Sequence, residues 1–136
     1  MNKTCLVIAG PTAVGKTNLS IQIAQALGTE IISADSRQCF RELNIGVAKP
    51  SAEELNIVPH HFINNLTIFD DFSAADYEAY ALNKLTELFQ EKDVVVVAGG
   101  TGLYLRALTE GLDDIPEPTP EIRKEVLDLF ASEGLK

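Results

Sequence analysis

The apolar positions of this chain change period several times, and each change marks an element. Cys5-Leu6-Val7-Ile8-Ala9 is an unbroken apolar run of strand length, and Leu19, Ile23 and Leu27 then recur at four-residue spacing. That is a strand followed by a helix whose buried face carries the three residues, with Cys5 buried in the strand. Gly28 is placed to cap the helix at its C-terminus. Glu30-Ile31-Ile32-Ser33-Ala34 predicts a second strand, running into Asp35-Ser36-Arg37-Gln38. Residues 41–72 show no strong period. Ser73-Ala74-Ala75-Asp76 has the form of a capping box, opening a helix to about Glu91 with Ala81, Leu85, Leu88 and Phe89 on one face. Val94-Val95-Val96-Val97-Ala98 is the continuous β-branched run of a strand buried on both faces of a parallel sheet. A helical segment follows near Leu103–Leu108. Asp113 to Pro120 is a proline-rich connection, and Thr119-Pro120 with Glu121 starts another helix. No internal repeat is visible.

Strands that alternate with helices predict a three-layer α/β fold with a parallel sheet, in which ligands bind at the carboxyl ends of the strands. Three strands end in turns with chemical content: Gly10–Thr17, Asp35–Gln38 and Gly99–Gly102. They are expected to converge on one cleft. Only three strands are legible, and the last helix reaches Leu135-Lys136 with neither a cap nor a following strand. The expectation is the front part of a larger protein: a partial core over 1–112, then a connection and the start of a helical region over 113–136.

Composition narrows the classes. One domain fits in 136 residues, and 46% apolar content allows a real core. No stretch approaches the ~18 apolar residues of a membrane span, and the short apolar run after Met1-Asn2-Lys3 is no signal peptide. Cys5 and Cys39 fit no zinc or disulfide spacing, which points to free thiols in a reducing, cytoplasmic setting. The net charge is −9, unevenly spread: residues 1–50 hold five Lys/Arg against three Asp/Glu, and residues 51–136 hold six against seventeen. Such a surface does not hold nucleic acid by charge alone, and the acidic excess reads as solvated helix face.

The chemistry begins at Gly10-Pro11-Thr12-Ala13-Val14-Gly15-Lys16-Thr17, a complete G-x-x-x-x-G-K-[ST] phosphate loop between a strand and a helix. Its backbone N–H groups and the helix N-terminus suit phosphate oxygens. Lys16 would reach the outer phosphate, and the Thr17 hydroxyl would hold Mg²⁺. The fold class expected is therefore α/β, P-loop NTPase-like and apparently truncated. A nucleotide-hydrolysing domain of this kind carries an Asp at the end of an apolar strand. Here that strand ends in Ala98-Gly99-Gly100, and the strand-end carboxylate is Asp35. Motor and switch GTPases are thereby disfavoured, which leaves small-molecule kinases and other phosphate-handling transferases.

The ordered set Gly10–Thr17, Asp35-Ser-Arg-Gln38, Ile45-Gly-Val-Ala-Lys-Pro50, Pro59-His-His61, Phe72-Ser-Ala-Ala-Asp76 and Gly99-Gly-Thr-Gly-Leu-Tyr104 resembles the N-terminal part of the tRNA dimethylallyltransferases, also called tRNA isopentenyltransferases. The resemblance covers essentially the whole chain. Val47 stands where that family usually has Thr, Asn64 where Asp is usual and Phe40 where Tyr is common. It implies transfer of a dimethylallyl group from dimethylallyl diphosphate to the exocyclic amine of an adenosine beside the tRNA anticodon. It also implies Mg²⁺ and a monomer at full length. Lys16, Thr17 and the amides of 12–17 would stabilise the leaving diphosphate, and Asp35 would be the general base, its other reading being a helix N-cap or a Mg²⁺ ligand. Ser36, Arg37 and Gln38 would contact tRNA around a flipped-out base, and the Thr101 hydroxyl would touch the substrate nucleotide. Gly99, Gly100 and Gly102 can equally serve a tight turn. Arg123 aligns with a tRNA-contacting arginine, or is an exposed helix residue paired with acidic neighbours. His60-His61 lacks a third metal ligand at a recognisable spacing and reads as structural or as part of a substrate loop. The competing readings are a small-molecule or nucleoside kinase, and a non-catalytic fragment that binds diphosphates or nucleotides, ATP included.

Overall fold

The computed structural model describes residues 2–11, 15–112 and 120–133. Its elements run β1 (Thr4–Ala9), α1 (Lys16–Leu27), β2 (Ile31–Ser33), α2 (Ala52–Ile57), β3 (His60–His61), α3 (Ala74–Leu88), β4 (Val94–Gly99), α4 (Gly102–Glu110) and α5 (Pro120–Glu133). The strands form one parallel sheet in the order β1-β4-β2-β3. In register, Cys5 lies beside Val95 and Ile31 beside Val96. The three strands expected from the sequence are present, and β3 is added at one edge.

Alternation along β4 divides the core. Val95 and Val97, with Ile32 of β2, face Tyr77, Ala81, Leu85 and Leu88 of α3 and Tyr104 of α4. Val96 and Ile31 face Ile21 and Ala24 of α1, with Val58 beside them. Helices therefore cover both faces, as a parallel sheet requires, and the three-layer expectation holds. Tyr77 anchors the larger layer: its ring stacks on Tyr104 at 4.4 Å, and its hydroxyl donates to the Ser33 carbonyl at 2.9 Å.

Two expectations about burial are corrected. Leu19 and Leu27 are each 49% exposed, whereas Ser20, Ile21 and Ala24 are the buried positions of α1. Small side chains at 20 and 24 bring the helix close to the sheet. The Ser20 hydroxyl donates to the Lys16 carbonyl at 2.6 Å, so its burial leaves no unmet polar group. Cys5 is exposed rather than buried, because β1 is the edge strand of the described sheet and pairs with β4 alone.

Caps were the most reliable local signals. Gly28 ends α1 in the left-handed region (φ 63°). Its N–H reaches the Gln25 carbonyl and that of Thr29 the Ala24 carbonyl, a Schellman pair. Ser73 and Asp76 cap each other reciprocally at the start of α3. That helix ends at Leu88, three residues before the expected limit, with Phe89 as its C-cap. The connection at 113–119 and the chain end at 134–136 lie outside the described residues.

Gly99 has a different task from the turn glycine the sequence suggested. A Cβ there would fall inside the van der Waals radii of the Ala34 backbone. The strand end of β4 thus presses directly on the residue after β2. Gly99→Ala is expected to lower stability by about 1–3 kcal/mol through overpacking, read as a lower urea midpoint with an unchanged slope.

Candidate active site

The phosphate loop is framed by its two described shoulders, while Thr12, Ala13 and Val14 lie outside the described residues. Gly15 takes φ 89°, a conformation that suits glycine, and is the N-cap of α1 without a side-chain cap. The free N–H groups of the first turn are therefore available to an anion. Lys16 is half-buried and donates to the Pro11 carbonyl at 2.7 Å, tying the shoulders together. The Thr17 hydroxyl makes no hydrogen bond to a described residue.

At the end of β2 the chain folds around Asp35. Its Oδ1 accepts from the N–H of Arg37 at 2.8 Å and of Gln38 at 3.0 Å. The cap-like reading is thus met by one oxygen, and Oδ2 has no partner among the described residues. Thr101, at the end of β4, locks this turn from the other side. Its Oγ1 accepts from the Ser36 N–H at 2.9 Å and donates to Ser36 Oγ at 3.2 Å. The Thr101 N–H donates to the Ala34 carbonyl at 3.1 Å.

These turns open on a cleft of about 290 Å³ that Gly15, Lys16, Thr17, Asp35, Gln38 and Gly99 help to line. The expected convergence of three strand ends is present. Gly10, Pro11, Ser36, Arg37 and Thr101 do not line the cleft; Arg37 is exposed, and Ser36 and Thr101 brace it. Arg123 lies on α5, where Nη1 pairs with Asp71 at 3.0 Å on an exposed surface. This is the acidic pairing that the sequence left open for it.

Of the cleft wall, Glu54 and Ile63 were not singled out in the sequence, Ala48 and Pro50 entered only within a motif and without a role, and His60 lines the cleft as the substrate-loop reading allows. Ser51 and Glu54 form a second reciprocal capping box at the start of α2, a signal of the same kind as Ser73-Asp76 and legible in hindsight. A two-residue strand has no period to read, and the left-handed backbones of Ala48 (φ 51°) and Phe62 (φ 72°) have no marker in residue type.

The histidines sit at the edge of the sheet. His61 Nε2 lies 2.9 Å from Glu30 Oε1, and His60 Nδ1 lies 2.8 Å from the Val58 carbonyl. A carbonyl only accepts, so His60 Nδ1 carries the hydrogen and Nε2 is left as an acceptor. Burial holds the His60 pKa below its ordinary value. Cys39 is buried beside the site, and desolvation pushes its thiol up to about 11, so it remains a protonated thiol at neutral pH. Among the described residues no group of three or more His, Cys, Asp or Glu is arranged to hold a metal ion, and no helix is long and apolar enough to cross a membrane.

The shoulders of a phosphate-loop sequence and a strand-end carboxylate that share one cleft, on a parallel sheet covered by helices on both faces, define an α/β protein of the P-loop fold class. Comparison with known proteins narrows the class. The family model described as IPP transferase matches residues 38–136, and the chain belongs to that family. A tRNA dimethylallyltransferase of Christiangramia forsetii is 49% identical over 135 residues, covering 99% of this chain and 45% of that protein. One of Flavobacterium johnsoniae is 48% identical, covering 98% and 43%. Among solved structures, the full-length tRNA isopentenylpyrophosphate transferase of Bacillus halodurans superposes with a TM-score of 0.79 at 36% identity, over 98% of this chain and 44% of that one. A eukaryotic dimethylallyltransferase described as acting on tRNA gives 0.77 at 30% identity, over 98% and 33%. The chain thus spans about 45% of the length of the curated relatives it matches.

The depressed His60 pKa has a consequence for stability. The unfolded chain takes up this proton at the ordinary value near 6.5, where the folded protein still resists it. Stability should therefore fall as pH drops below about 6.5. His60→Asn should flatten that part of the curve, as read from denaturation midpoints between pH 8 and pH 5.

Proposed function

We propose that the protein carrying this sequence transfers a dimethylallyl group from dimethylallyl diphosphate to the exocyclic N6 amine of an adenosine beside the tRNA anticodon. The observation that carries this reading is the meeting, in one cleft, of Lys16 and the N-terminus of α1 with Asp35 Oδ2, which has no partner among the described residues. One side suits a diphosphate and the other suits a proton donor.

In the step itself the amine nitrogen attacks the allylic carbon, the carbon–oxygen bond to diphosphate breaks, and a proton leaves the nitrogen for Asp35 Oδ2. Two backbone N–H groups hold Oδ1, so the carboxylate is fixed in direction before substrate arrives. Lys16 would exchange the Pro11 carbonyl for a phosphate oxygen as negative charge grows on the leaving group. Mg²⁺ fits the hard oxygen donors here: the Thr17 hydroxyl is uncommitted to any described residue, and an ion of this size takes few protein ligands beside phosphates and water. When bound, it would add positive charge at the diphosphate. Ser36 and Thr101 would brace the turn, and Arg37, exposed at its tip, is placed to meet RNA. Arg123 reaches RNA only by releasing Asp71. We assign α5 to gripping tRNA and take the protein to be monomeric and cytoplasmic.

The kinase reading gains nothing specific from the geometry. The deciding assay is transfer of a radiolabelled dimethylallyl group to an anticodon stem-loop, by this chain and by a polypeptide extended to the length of its relatives. Label in the RNA supports the reading. Consumption of ATP phosphate on a small acceptor, with no label transferred, overturns it.

Two substitutions in the extended protein separate the roles. Asp35→Asn keeps an oxygen for the two N–H groups and should leave the melting temperature nearly unchanged, while turnover falls by roughly 10²–10⁴. Lys16→Ala should lower turnover at least about tenfold, the worth of one charge-assisted hydrogen bond.

A further inference from the structure

The hydrogen bonds of Gln38 leave an uncommon residue behind. Its Nε2 donates to two successive carbonyls, Val47 at 3.0 Å and Ala48 at 3.1 Å. Both amide hydrogens are thereby used, and the orientation of the amide is fixed, because the flipped form would set Oε1 against two carbonyl oxygens. Successive carbonyls of an extended chain point to opposite sides. Both reach one amide here because the chain turns at Ala48, whose φ is 51°. Gln38 Oε1 is then a pure acceptor, and it has no partner among the described residues.

The segment that presents it is stiff. The Gln38 N–H is held by Asp35 Oδ1, and the Gln38 carbonyl accepts from the Asn64 N–H at 3.0 Å. Lys49 binds the facing loop through three acceptors: the Phe40 carbonyl at 2.7 Å, Asn44 Oδ1 at 3.1 Å and Asn64 Oδ1 at 2.7 Å. All three ammonium hydrogens are engaged, so Lys49 is a positioning residue with no free donor for phosphate.

We infer that Gln38 Oε1 and Asp35 Oδ2 form a two-acceptor cradle that recognises a primary amino group and rejects an oxo group in its place. The two atoms stand on one turn, both residues line the cleft, and the N–H groups of residues 36–38 are already engaged. A group that brings two N–H donors satisfies both oxygens. A carbonyl oxygen would face two acceptors and no donor, the arrangement by which hydrogen-bonding sites discriminate most strongly. The inference rests on the proposed reaction in one respect, that the amino group belongs to a nucleobase. It adds that Gln38 determines specificity for amino over oxo bases independently of the proton transfer at Asp35.

The test is equilibrium binding of two anticodon stem-loops to the extended protein in the presence of inorganic diphosphate, one with adenosine and the other with inosine at the modified position. The unaltered protein should bind the adenosine form about tenfold more tightly or better. Gln38→Met and Gln38→Leu, checked for a native melting temperature, should narrow that preference at least about threefold. A substitution that merely loosened the loop would weaken both RNAs alike and keep their ratio, and that outcome overturns the inference. Equal binding of the two RNAs by the unaltered protein also overturns it, whatever the variants do. Selective binding without dimethylallyl transfer would sink the proposed reaction and leave the cradle standing. Transfer without selectivity would do the reverse.

Discussion

The contact between Gly99 and the backbone of Ala34 sets the geometry of the whole cleft. With no side chain between them, the ends of β2 and β4 close to backbone distance, and the Ala34 carbonyl takes the N–H of Thr101. That places the Thr101 hydroxyl on Ser36, in the middle of the turn that Asp35 organises. Because β4 also pairs with β1 along six residues, the same strand sets the distance between the phosphate loop and the carboxylate. A displaced β4 would separate the two halves of the proposed chemistry while leaving each locally intact.

Much of this was legible in the sequence because the signals were covalent neighbours. The Gly28 cap, the Ser73-Asp76 box and the valine run each need only a few adjacent residues, and each formed where expected. The α1 face went wrong because the four-residue spacing of Leu19, Ile23 and Leu27 competes with a stripe of smaller residues one position on, and of the three only Ile23 packs against the core. Approach to a sheet favours the stripe that can come closest, so Ser20 and Ala24 lie inside and the leucines outside. The exposure of Cys5 depends on strand order, which no local pattern encodes.

The wall formed by residues 48–63 was harder to read for another reason. Its backbone relies on left-handed residues that are not glycine, Ala48 and Phe62 among them, held by long-range bonds from Gln38 and by the packing of Phe62 against Phe72, Tyr77 and Tyr80. Such conformations persist only where the surroundings over-determine them. Strain of this kind gathers around a site that must hold its acceptors still, and its cause lies far along the chain from its location.

The edge position of β1 bears on how this polypeptide behaves in concentrated solution. Natural sheets guard an open edge with unpaired lysines, prolines or bulges. In β1 the flanking Lys3 is already neutralised by Asp93 at 2.8 Å, and Pro11 comes only after the strand has ended. Among the described residues no strand covers this edge, so the backbone groups of β1 that point away from β4 are open to pairing. Pairing between two such edges is a route to self-association that grows with the concentration of the polypeptide.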